Sequence, residues 1–219
     1  MTPVFPAYSR IFFSTIVSDV VPRLQRDIRD IERYFLSVNN GDHNYAPSKR
    51  EQTAIHEAAH TVVATMIHRG IVQEVFISDT AVDVNEIDMY DELNITVHGI
   101  TGGVRFHKMQ TTVFENGLIA YSGFFAECEN LFRCGVVLEP HLPQLRSQAA
   151  HDIDRFQELL VSEGLSEGEI YSVVFDIGGS LKHDFDNGVW QVVRTIADAL
   201  LERGHLTGDD VLELLPGFP

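Results

Sequence analysis

Apolar residues recur every three or four positions along most of the chain, and β-branched residues cluster in one shorter stretch near its middle. The first helical stripe, Leu24, Ile28, Ile31 and Phe35, predicts a helix over residues 20–36. Asn39-Asn40-Gly41-Asp42 breaks it, and Ala46-Pro47 keeps the connection extended. Ser48-Lys49-Arg50-Glu51 has the form of a capping box, with Ser at the N-cap and Glu three residues on. It opens a helix carrying Ile55, Ala58, Ala59, Val62, Val63, Met66 and Ile67, which Gly70 stops. Val72, Val75 and Ile77 then predict a strand over residues 71–78, and two further strands are expected at 93–98 and 104–106, separated by Gly99 and Gly102-Gly103. Residues 79–92 carry Asp79, Asp83, Glu86, Asp88, Asp91 and Glu92 with no base, the composition of a solvated loop. No Asp-x-Asp-x-Asp-Gly spacing points to calcium there.

From Thr111 the helical period returns, with Phe114, Leu118, Tyr121, Phe125, Cys128 and Phe132 on one stripe. A helix over residues 148–162 stops at Gly164. Ser166-Glu167-Gly168-Glu169 is a second capping box, and it starts a helical tail with possible breaks at Gly178-Gly179 and Asn187-Gly188. A last short helix follows Thr207. The plan is α+β: a small sheet after the first core helix, then mostly helices, with residues 1–45 as an N-terminal helical extension and residues 46–219 as one domain.

Composition narrows the class. The 219 residues are 44% hydrophobic and 22% charged, as in an ordinary globular protein. Sixteen Lys+Arg stand against 32 Asp+Glu, a formal charge of -16 that repels phosphate backbones and anionic lipid, so no nucleic-acid partner is expected. Two cysteines, Cys128 and Cys134, are too few for a disulfide framework and suit a reducing compartment. No apolar run is long enough to span a bilayer, and the apolar stretch at residues 11–17 lacks a clear cleavage site, so the expected location is cytoplasmic.

The informative segment is Ile55-His56-Glu57-Ala58-Ala59-His60. His56 and His60 stand at i and i+4, which on a helix points both imidazoles the same way, one turn apart. That spacing supplies two of three protein ligands to one zinc ion and leaves a position for water. Glu57 beside them can take a proton from that water. Chance is a poor rival, since the chain's own His and Glu content gives roughly 0.03 occurrences of His-Glu-x-x-His. A third ligand must come from elsewhere: Glu127, Glu129, Asp152, Asp154 and Cys128 all have suitable chemistry, and chemistry does not choose among them. Gly123 reads as a close-packing contact and Trp190 as core. His98, His107 and His141 have no partner at ligand spacing, and no base is tied to Cys128.

The same helix resembles the zinc-binding helix of the FtsH family of metallopeptidases, which usually reads His-Glu-Ala-Gly-His. Ser122-Gly123-Phe124-Phe125-Ala126-Glu127 is similar to the family's Gly-Gly-Arg-x-Ala-Glu segment, and His151-Asp152-Ile153-Asp154 to its Asn-Asp-Leu/Ile segment. Residues 160–166 resemble the stretch ending in Gly-Met-Ser, and residues 196–202 the Ala-x-x-Leu-Leu-Glu run. The matches fall in order across about residues 50–215. Ala59, Phe124 and Cys128 depart from the usual residues, the acidic stretch looks inserted, and no Gly-x-x-x-x-Gly-Lys-Ser/Thr phosphate loop occurs, so no ATP is expected.

The resemblance implies a zincin-like peptidase domain with Asp152 as the third zinc ligand. Glu127 is then expected as a partner hydrogen-bonded to a ligand histidine. Asp154 lies about 200° around the helix from Asp152 and cannot share its role. In the family, the strand near the zinc helix pairs with extended substrate, which assigns substrate binding to Gly102, Gly103 and Val104. The expected activity is ATP-independent zinc endopeptidase action on peptides or unfolded segments. The rivals are a non-catalytic zinc-stabilised module that binds a protein or peptide partner, and a non-proteolytic zinc hydrolase.

Overall fold

The computed structural model describes residues 47–87, 94–108, 111–136 and 138–216. The predicted helix over residues 20–36 and the N-terminal extension lie outside them. Helix α1, Lys49–Ile67, starts where Ser48 Oγ accepts the backbone N–H of Glu51 at 3.1 Å. The Glu51 carboxylate takes Arg194 at 3.3 Å. From Ala54 to Thr65 every residue of α1 is buried, so this helix is the centre of the fold rather than a surface helix. Ala54, Ala58 and Ala59 are fully buried, and their small size lets neighbouring elements approach closely.

Strands β1, Val72–Ile87, and β2, Asn94–Phe106, form an antiparallel hairpin. The short strand β3, His205–Thr207, pairs antiparallel with the other side of β1, giving the order β2-β1-β3. Here the structure corrects two expectations. Gly99 and Gly102-Gly103 do not divide the second arm, which is one continuous strand. The acidic stretch is not a loop from residue 79 onward, because β1 continues to Ile87. Val84 stands opposite Val97 and Val82 opposite Ile100, so the backbone ladder runs on through the acidic residues. Register shifts between Ile77 and Val84 absorb the irregularity as bulges.

Helix α2, Val113–Arg133, opens with a full capping box between Thr112 and Glu115. It is buried almost all round from Asn116 to Leu131, while Phe114 on the predicted stripe is 38% exposed. Two helices follow where one was expected: α3, Leu142–Gln148, and α4, Ala150–Ser162. Gly164, at φ +82°, ends α4. Helix α5, Glu167–Asp184, starts on the Ser166/Glu169 capping box and passes straight through Gly178-Gly179. The chain bends at Phe185–Val189, where Gly188 has φ +111°, and resumes as α6, Trp190–Arg203. Helix α7, Gly208–Leu214, is capped by Thr207.

The result is a mostly helical α+β fold with a small three-stranded antiparallel sheet. Helix α1 packs between α2, α6 and the sheet, and α4 and α5 pack on α2. Phe125 and Phe185 meet edge to face, and Trp190 is buried in the core beneath the Arg133 guanidinium. Among the described residues no helix is long and apolar enough to cross a membrane.

Candidate metal centre

Helical spacing puts His56 and His60 side by side on the buried middle of α1, their Nε2 atoms 3.0 Å apart. Asp152, in the first turn of α4, brings Oδ2 to 3.3 Å from His56 Nε2 and 3.5 Å from His60 Nε2. Four ligands held tetrahedrally at about 2.0–2.1 Å from a zinc ion lie about 3.3 Å from one another. The three donor atoms therefore already have the spacing of three corners of such a site. They form a group that could hold a metal ion.

The surroundings test that fit. His60 Nδ1–H donates to the Ile119 carbonyl at 2.7 Å, which leaves the lone pair on Nε2. Ser122 Oγ stands 3.2 Å from the same Nδ1 and donates to the same carbonyl. His56 Nδ1 faces Glu127 Oε1 at 3.3 Å, a close polar contact that lacks the geometry of the hydrogen bond expected there. Two imidazole nitrogens and a carboxylate oxygen then converge in a space where both histidines are more than nine-tenths buried. Acceptors facing one another without a donor are costly to bury, and a cation among them removes the conflict.

A proton on His56 can relieve the same conflict, in competition with a metal. Burial lowers the proton affinity of His56, but the carboxylates of Asp152 and Glu127 more than offset it and hold the imidazole well above its ordinary pKa. Burial likewise opposes ionisation of Asp152, yet the two imidazoles beside it hold its carboxyl below the usual range. Glu57, 8% exposed on the next position of α1, has its carboxyl pushed up to about 7 by burial, against the opposing pull of the two histidines.

The other candidates for the third position are engaged elsewhere. Asp154 pairs with Arg146 on the exposed side of α4. Glu129 is buried and pairs with Arg133 at 2.7 Å. The Cys128 thiol is pushed well above its ordinary pKa by burial and by its flanking Glu127 and Glu129, so it is a neutral filler rather than a thiolate ligand. His107 lies on the surface and contacts Gln73.

Gly102, on β2, lies against α1 beside Glu57: a Cβ there would come 2.7 Å from Glu57 Oε1 and from Thr53 Cγ2. Gly123, on α2, lies against the histidines, where a Cβ would come 2.6 Å from both Nε2 atoms. Gly103 is buried and Val104 half-buried beside them on β2, one of the two edge strands of the sheet among the described residues. The supporting roles of Ile119 and Ser122 escaped the sequence. The signal that could have found them is Ile119, Gly123 and Glu127 at i, i+4 and i+8, one stripe of α2. The chain matches no protein-family model and no curated protein.

Proposed function

We propose that the chain is a zincin-like zinc metallopeptidase, related in architecture to the FtsH peptidases, that hydrolyses peptides or unfolded segments without ATP. The carrying observation is the His56–His60–Asp152 group with Glu57 buried beside it on α1. Two nitrogens and one carboxylate oxygen suit zinc, which when bound supplies Lewis acidity toward a carbonyl and acidifies a water. Glu57, its carboxyl near 7, takes the proton from the attacking water and delivers it to the leaving amine. Among the described residues β2 has a partner strand on one side only, so an extended peptide can add along Gly102, Gly103 and Val104. Asp152, its side chain 31% exposed, lies on the solvent-reached side of the group. A site that only stabilised the fold would gain nothing from a carboxyl buried beside it at raised pKa.

The test is a peptide-library digest of zinc-replete protein with and without chelator. Wild-type protein should cleave, chelator should abolish cleavage, and Glu57→Gln should retain zinc while losing at least about a hundredfold in kcat. Near-wild-type cleavage by that variant removes Glu57 from its role. Zinc binding by wild type with no cleavage of any peptide overturns the peptidase reading in favour of the non-catalytic module or the non-proteolytic hydrolase.

A further inference from the structure

We infer that Gly123 is a metal-site determinant: α2 grips the two imidazoles with its polar groups and, by carrying no side chain at residue 123, leaves the metal its room. This rests on the reading that His56, His60 and Asp152 bind a metal. Three observations carry it. A Cβ at Gly123 would stand 2.6 Å from His56 Cε1, His56 Nε2 and His60 Nε2, closer than side chains tolerate. Neither ring is free to yield. His60 is held from behind by the Ile119 carbonyl at 2.7 Å and Ser122 at 3.2 Å, and His56 has the buried Glu127 carboxylate behind it at 3.3 Å. Both rings lie within a buried stretch of α1.

The same helix supplies a contrast. Gly117 is also interior to α2, but a Cβ there would meet Ile177 Cδ1 at 2.2 Å and Phe156 Cζ at 2.6 Å, which are apolar core atoms. Glycine is a poor helix former, so both positions need a reason. At Gly117 the reason is core packing. At Gly123 the atoms in the way are the metal-binding nitrogens themselves.

Wild type, Gly123→Ala and Gly117→Ala, each stripped by chelator, are titrated with zinc, and with cobalt to read the ligand-field spectrum of a tetrahedral site. Gly123→Ala is expected to lose at least about a hundredfold in zinc affinity and the tetrahedral cobalt band. Gly117→Ala is expected to melt lower and keep affinity within threefold of wild type. A Gly123→Ala affinity within threefold of wild type overturns the inference. If Gly123→Ala folds poorly, the same substitution is made in a His56→Ala/His60→Ala background, where the methyl no longer meets a ring. There it should leave the melting temperature equal or higher, and a persisting loss overturns the inference by showing a clash with something else. Wild-type protein that binds neither metal overturns the metal-site reading itself, an outcome distinct from the others.

Discussion

Two carboxylates approach the histidine pair from different sides, and their positions give them different work. Asp152 reaches both Nε2 atoms and keeps nearly a third of its side chain in solvent, whereas Glu127 is buried behind His56 on the Nδ1 side. Asp152→Ala should therefore lose zinc, because it removes a ligand. Glu127→Gln should weaken zinc only by about 10–100-fold, because it loosens the orientation of a ligand that stays in place. Metal analysis after dialysis, followed by competition with a chelator of known affinity, reads both. If Glu127→Gln loses zinc outright while Asp152→Ala keeps it, the third ligand is Glu127. The same contrast shows what the sequence could reveal. His56, Glu57 and His60 were legible because helical spacing is a local rule. Asp152 was not, since 96 residues separate it from His56 and only a fold brings them together. Without the family resemblance, five side chains had equal claim, and what eliminates four of them is the environment of each. None of those environments is written in the residue's own neighbourhood.

Each element around α1 contributes by what it omits as much as by what it carries. Helix α2 presents Ile119, Gly123 and Glu127 on one stripe, a carbonyl, a gap and a carboxylate in successive turns. Strand β2 presents Gly102 to Glu57. The glycine pair invited the reading of an open edge for substrate; the structure adds that Gly102 is also where the strand clears the Glu57 carboxyl. Gly102→Ala should then displace the Glu57 carboxylate, lowering kcat by about tenfold or more while zinc content stays at wild type. Unchanged kcat, measured against the same peptide, would remove Gly102 from the site. Elements with strong local signals were readable: the Thr207 cap, the Ser166/Glu169 box, the Gly164 stop. Those that depend on pairing or context were not. The hairpin extends through residues whose charges resemble a loop, because its ladder is made between backbones far apart in sequence and not by local composition. Helix α3 is seven residues, too short to show a clear apolar period, and its proline sits in the first turn, where it gives up no hydrogen bond.

At the scale of the molecule, a metal held by His56, His60 and Asp152 would cross-link α1 and α4. Helix α1 supplies two donors and α4 the third, and both helices pack on α2, which braces the imidazoles from behind. A ligand that binds only this assembled arrangement stabilises the folded state by mass action, by about 2.7 kcal/mol at a free concentration one hundred times its dissociation constant. For a chain of this size that corresponds to roughly 5–10 °C in melting temperature. Zinc added to the stripped protein should produce a shift of this order, and chelator should reverse it. Magnesium should produce none, since it requires a shell of oxygen ligands that two imidazoles do not offer. His60→Ala should abolish the zinc shift because it leaves two of the three donors. Glu57→Gln should keep the shift in full, because the general base is not among the groups that span α1 and α4. That pair of outcomes separates binding from chemistry in one thermal experiment: a shift lost in Glu57→Gln would make Glu57 a ligand, and a shift kept in His60→Ala would place the zinc elsewhere.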